Sequence, residues 1–165
     1  MIRLLRPADA EELSALHFAN RDFLRPFEPA RDEGFYTVER QRERIEQSLE
    51  SDRWMWAIVE DGAIAGLIAL NDVLRGALQL ANVGYWVARQ HNGRGLASAA
   101  LADVVEFAFG EAQLHRLEAG TQPDNVASQR VLERNGFTKF GYARKLLLVE
   151  GEWRDHVLFE RVADD

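Results

Sequence analysis

With 165 residues, 47% of them hydrophobic, the chain is sized for one compact domain with a substantial core, and residues 1–165 are read as a single domain. Cysteine is absent, which excludes disulfides, thiolate metal sites and a cysteinyl covalent intermediate, and fits a reducing, cytoplasmic setting. A formal net charge of −7 argues against general nucleic-acid affinity, because phosphates need a basic surface; it reads either as a solubilising surface or as one that suits cationic partners such as amines.

The four histidines, His17, His91, His115 and His156, show no metal-ligand spacing, so no metal is expected. No apolar run approaches the ~20 residues of a membrane span, and the N-terminus lacks a signal-peptide core. A soluble intracellular protein is the expectation.

Residues 2 to 6 predict a short strand. Asp9 and Glu12 then stand in capping-box spacing for a helix running to about Asn20. The aromatic, proline-bearing stretch 21–36 has no regular period and reads as a functional loop. Thr37 caps a surface helix whose thin apolar stripe is Val38, Ile45 and Leu49. Residues 54 to 60 and 63 to 73 predict a hairpin closed by Asp61-Gly62, its second strand apolar on both faces and therefore central.

Residues 80 to 89 supply a fourth strand, which stops at "QHNGRGLASAAL". From Ala97, the spacing of Leu101, Val104, Val105 and Ala108 predicts an amphipathic helix. "HRLEAGT" is a fifth strand, "QPDN" a turn, and "VASQRVLERN" a helix closed by Gly136, with Phe137 placed to contact Leu132. The remainder reads as a long hairpin. The order β-α-α-β-β-β-α-β-α-β-β makes a mixed α/β sheet of seven strands with about four helices.

A glycine turn at the head of a helix lets an anion reach unpaired N–H groups at the positive end of the helix dipole. Such a turn also occurs for purely steric reasons. Leu96-Ala97 after Gly95 does not fit a nucleotide-hydrolase loop. A dinucleotide fingerprint needs Gly or Ala where Ser98 stands and an acidic residue ending the next strand, which is missing. The second β-α unit carries "NVASQRVLERNGF", and if the fourth and fifth strands lie side by side, both helix starts face one crevice.

The combination Gln90-x-x-Gly93-x-Gly95, then Asn125-x-x-Ser128 and Gly136-Phe137, resembles the GNAT superfamily of acetyl-CoA-dependent N-acetyltransferases. Within it, the chain is most similar to the bacterial ribosomal-protein N-terminal acetyltransferases of the Rim type, from "NRDFLRPFEPARD" to "FGYARKLLLVEGEWRDHVL". The resemblance implies a twisted sheet with its fourth and fifth strands splayed around acetyl-CoA. It implies that backbone N–H groups of Gly93, Arg94, Gly95, Leu96 and Ala97 hold the diphosphate, with Gln90 opening the turn and Ser98 adding its hydroxyl. Arg94 reaches a phosphate or is simply exposed. Backbone near Val87 pairs with the pantetheine arm and polarises the thioester carbonyl.

By the same resemblance, Asn125 orients the pantetheine or a water and Ser128 protonates the departing thiolate; the alternative is that Asn125 merely caps its helix and Ser128 is merely a residue near the helix start. Glu118, which shares a strand face with Gly120, is the first candidate for the base, or else a rim carboxylate paired with an arginine. Glu28 is the second candidate and Asp155 the third. Two positions depart from the relatives: Leu147, where one Rim branch has a glutamate base, and Ala99, where many have Glu. Aromatics of the 21–36 loop and the final hairpin frame the acceptor, although Phe23, Phe27 and Trp153 read as core. Glu28 and Asp32 suit a cationic amine.

The expected activity is direct acetyl transfer to a protein N-terminal amine, such as that of a ribosomal protein. A small-amine acetyltransferase acting on a polyamine, amino acid or amino-sugar is the second reading, and a non-catalytic acyl-CoA sensor the third. Monomer and homodimer both remain open.

Overall fold

The computed structural model describes all 165 residues. Seven strands form one sheet: β1 (Ile2–Leu4), β2 (Trp54–Glu60), β3 (Ala63–Leu74), β4 (Leu80–Val87), β5 (Arg116–Thr121), β6 (Thr138–Val149) and β7 (Glu152–Val162). Their spatial order is β1-β2-β3-β4-β5-β7-β6, and β4–β5 is the single parallel pair in an otherwise antiparallel sheet. The helices are α1 (Ala10–Ala19), α2 (Arg21–Leu24), α3 (Val38–Leu49), α4 (Leu96–Phe109) and α5 (Val126–Arg134). None is long and apolar enough to cross a membrane.

Two cores divide at the sheet. On one face, Leu101, Val104, Val105 and Ala108 of α4 are buried against Ile68, Leu70 and Leu117, and α5 adds Leu132. On the other face, Leu13 of α1 and Ile45 of α3 pack on Met55, Ala57, Leu67 and Ala69. β3 lies within the sheet between β2 and β4, which explains its apolar character on both faces.

Local chemistry accounts for the turns. Asp61-Gly62 and Glu150-Gly151 both take positive φ, as a two-residue hairpin of matching twist requires. At the end of α5, Phe137 N–H donates to Leu132 C=O and Gly136 N–H to Glu133 C=O, with Gly136 at φ +76: a Schellman closure.

Several expectations change. The capping box lies three residues earlier: Asp9 Oδ2 accepts the Arg6 N–H and Arg3 Nη1, while Glu12 Oε1 reaches across to the Ile64 N–H at 2.7 Å. The buried stripe of α3 is Gln41, Ile45 and Ser48, with Leu49 exposed; polar Gln41 is tolerated because its amide donates to the Phe35 carbonyl. The 21–36 stretch holds α2 and a short 3₁₀ turn over Glu33–Tyr36, which Asp32 caps by accepting the Phe35 N–H. Phe27 and Trp153 are not core: Trp153 is 60% exposed, because it stands on the terminal hairpin where no helix covers the sheet.

Candidate active site

β4 and β5 pair over three positions only, Leu80 with Arg116, Ala81 with Leu117 and Asn82 with Glu118. Beyond Asn82, β4 stays with β3, while β5 stays with β7 through Thr121, so a gap opens inside the sheet. At its far end Ala88 N–H donates to the Ala65 carbonyl at 2.8 Å. Successive N–H groups of extended backbone alternate in direction, so that of Val87 turns to the gap. The approach of β3 is close here. A Cβ on Gly66 would stand 2.2 Å from the Trp86 carbonyl oxygen, so only glycine fits without a shift.

The "QHNGRG" segment forms a 3₁₀ turn over Arg89–His91, which contains exposed Gln90, and then the head of α4. Gly93 and Gly95 lie at φ +77 and +76, where a Cβ would meet nothing within 4 Å: glycine is needed there for its backbone conformation, and the surface above is bare. From Gly93 through Ser98 no backbone N–H has a backbone acceptor, the first α4 bond being Ala99 N–H to Gly95 C=O, and no side chain caps the helix. That run of free donors on a 14-residue helix suits a diphosphate without needing a cationic side chain. Arg94 turns aside to Glu60 (3.0 Å), which also meets His91 Nδ1 at 2.5 Å; these partners hold the Glu60 carboxyl below its ordinary range. The Ser98 hydroxyl accepts from Asn135 Nδ2 at 3.1 Å, joining α4 to α5.

Past the gap lies a cavity of about 640 Å³ whose walls include Ala97, Val83 to Val87, Ala119 to Gln122, Asn125 and Ser128. Asn125 caps α5, its Oδ1 accepting the Ser128 N–H at 3.2 Å. The Ser128 hydroxyl stands 3.0 Å from the Tyr85 hydroxyl. Burial pushes the Tyr85 phenol up to about 12, against the effect of its bond to Ser128, so it keeps its proton throughout the working pH range.

The three candidate carboxylates separate sharply. Arg116 Nε donates to Glu118 at 2.7 Å and its Nη1 meets Glu160, and Glu118 does not line the cavity. Asp155 accepts from Tyr142 (2.7 Å) and from the Lys145 N–H, in the irregular part of β6, also outside the cavity. Glu28 lines the wall, and His17 Nε2 lies 3.1 Å from its Oε1; the His17 ring is itself fixed by Trp86, Phe35 and Tyr36. Leu147 sits opposite Arg154 in the terminal hairpin, and Ala99 is exposed on α4.

Tyr85 and His17 are site residues that the sequence reading misses. Tyr85 could have been found: it is two residues from Val87 and so on the same strand face. His17 carries no such signal, since a histidine on an α-helix in an aromatic-rich chain is equally suited to packing.

The geometry has close counterparts. Residues 1–138 match the model of the acetyltransferase (GNAT) domain. The chain is 44% identical over 161 residues to the "probable N-acetyltransferase YjcK" of Bacillus subtilis, covering 94% of this chain and 89% of that protein. It is 32% identical over 164 residues to the ribosomal protein uS5-alanine N-acetyltransferase of Escherichia coli, covering 96% and 84%. Among solved structures, Mycobacterium smegmatis RimJ in complex with CoA-disulfide superposes with a TM-score of 0.93 at 34% identity, over 99% of this chain and 81% of that one. A sheet opened between its one parallel pair, a bare glycine turn at its mouth and likeness along nearly the whole length together identify the chain as a member of the GNAT N-acetyltransferase family.

Proposed function

We propose that this enzyme transfers the acetyl group of acetyl-CoA directly to the N-terminal α-amine of a protein, of the kind found on ribosomal proteins. What carries the reading is that likeness to the uS5-alanine enzyme covers 96% of the chain, including the acceptor loop and not only the coenzyme turn. A ribosomal acceptor would put the reaction in the cytoplasm.

In this reading the N–H groups from Gly93 to Ala97 hold the diphosphate, with Ser98 and Gln90 shaping the turn. The Val87 N–H faces the gap, where it stabilises negative charge growing on the thioester oxygen. Glu28, positioned by His17, accepts the proton of the attacking amine, directly or through a water; an α-amine with pKa about 8 asks far less of that base than a lysine at about 10.4. Ser128, backed by the protonated Tyr85, delivers a proton to the leaving sulfur as the C–S bond breaks and the C–N bond forms. Asn125 acts indirectly, by capping α5 and so fixing Ser128. Glu118 is left as a rim carboxylate held by Arg116.

The test is thiol release and mass spectrometry with acetyl-CoA, using peptides with free N-termini, the same peptides N-terminally blocked but carrying lysine, and polyamines. Free N-terminal peptides should be modified with the highest kcat/KM. Polyamines outcompeting every peptide would refute the acceptor class. In Glu28→Gln, kcat should fall about 10²-fold or more with acetyl-CoA affinity unchanged, and Glu118→Gln should resemble the parent. The reverse pattern would return the base to Glu118.

A further inference from the structure

Three arginines line the acceptor side of the cavity: Arg31 from the loop after α2, Arg44 from α3 and Arg53 from the segment before β2. None of them takes part in an ion pair, whereas nine of the chain's other seventeen arginines and lysines have a carboxylate within 4 Å. Arg44 donates to the neutral Gln41 side chain at 2.9 Å, and Arg53 to the neutral Asn71 side chain at 2.9 Å. Arg31 and Arg44 both lie over the Phe35 ring, at 4.3 and 4.8 Å, and beyond the Arg44 bond to Gln41 their N–H groups have no partner.

Holding these charges together is unfavourable. Burial, with the neighbouring charges of Arg53, Arg31 and Arg40, pushes Arg44 down to about 10, and burial likewise lowers Arg53. Glu28 and Asp72 are felt by this cluster only at a distance. Arg44 and Arg53 are half-buried and Arg31 is exposed; a half-buried charge gains from a partner, and a guanidinium with free donors matches a carboxylate or phosphate in two-pronged fashion. The cavity is therefore polarised: Glu28 offers a seat for an amine, and the arginines a seat for an anion.

We infer that the acceptor carries an anionic group, a carboxylate or phosphate a few bonds from its attacking amine, which Arg53, Arg44 and Arg31 bind. On the proposed N-terminal reading, on which this form of the inference rests, that group is an acidic side chain within the first residues of the acceptor protein. Net charge and the aspartate and glutamate of the acceptor loop would have suggested a purely cationic substrate. The side chains facing the cavity reverse that expectation, because Asp32 is used as a cap and the surface charge lies elsewhere.

The experiment compares peptides that differ only by Glu against Gln at the second, third or fourth position, alongside free glutamate against free glutamine, with the wild type, Arg53→Gln, Arg53→Lys and Arg44→Gln. At one of the peptide positions kcat/KM should favour Glu by roughly tenfold or more, mostly through KM, and Arg53→Gln should erase most of that preference while the acetyl-CoA Kd stays unchanged. Arg53→Lys should retain part of it, since charge survives without the fork. Should Arg44→Gln fold poorly, the wild-type comparison and Arg53→Gln still decide. Equal turnover of Glu and Gln peptides, or a preference that survives Arg53→Gln and Arg44→Gln, overturns the inference and leaves N-terminal acetylation standing. Turnover of glutamate over glutamine with no peptide modified upholds the anion seat and removes the protein acceptor.

Discussion

Replacing Ser128 by Ala separates two effects that the structure joins in one hydroxyl. The Ser128 Oγ is 3.0 Å from the Tyr85 hydroxyl, whose other neighbour, the Ser128 carbonyl at 3.4 Å, is a poor substitute. Removing Oγ leaves a buried phenol without a good partner, at a cost of about 1–3 kcal/mol, and each kcal/mol moves the midpoint of a domain this size by roughly 2–4 °C. Tyr85→Phe strands only the serine hydroxyl, which can rotate toward another acceptor, and should cost less. The double variant removes both groups and should recover stability relative to Ser128→Ala, a coupling that a thermal double-mutant cycle measures directly. The chemical effect is distinct. A free thiol has pKa about 8.5, so a thiolate departs tolerably well without help, and the loss in kcat should be about tenfold to a hundredfold, at the low end of general-acid contributions. The carbon-bound sulfur carries no proton to titrate and the serine hydroxyl stays protonated throughout, so the deficit should be nearly independent of pH from 6 to 9. Steady-state thiol release from pH 6 to 9, with acetyl-CoA binding by calorimetry, reads both parts. Unchanged kcat in Ser128→Ala would refute the proton-donor role. A kcat loss accompanied by an equal loss of acetyl-CoA affinity would show that the serine only shapes the pocket.

Two further perturbations probe the frame of the site. Gly66→Ala forces a Cβ to within 2.2 Å of the Trp86 carbonyl and 2.9 Å of Val87 Cα, so it should cost about 1–3 kcal/mol and raise the KM for acetyl-CoA by displacing Val87; Gly84→Ala, whose nearest neighbour is Asn71 Nδ2 at 3.5 Å, should leave stability nearly unchanged, and equal melting temperatures for the two would contradict the account. Asp9→Asn should lower stability at pH 7 by about 1 kcal/mol, a modest figure because its partner Arg3 is partly exposed. The bond from Arg3 holds the Asp9 carboxyl below its ordinary 3.8, so its contribution is complete above that value and disappears as pH falls through the lower folded-state value; urea unfolding should show the two proteins converging in acid.

Some features of this chain are settled by a few consecutive residues. Asp61-Gly62, Gly93-Arg94-Gly95 and Gly136-Phe137 prescribe their backbones locally, because positive φ and missing side chains are properties of the residues themselves. The α4 stripe was legible for the same reason, as its period repeats within fourteen residues. The α3 stripe was not, since burying Gln41 rather than Leu49 depends on the Phe35 carbonyl arriving from another element. Which ionisable groups are free to act depends instead on contacts between distant parts of the chain. Glu118, Glu28 and Asp155 are alike as carboxylates, but Arg116, which also bridges to Glu160, engages the first, the β6 irregularity engages the third, and His17, eleven residues upstream, sets the second against the cavity. Tyr85 and Ser128 meet across 43 positions, and the three arginines come from separate elements. Pairing, burial and the field they create are sums over neighbours in space, and a chain read in one dimension does not name those neighbours.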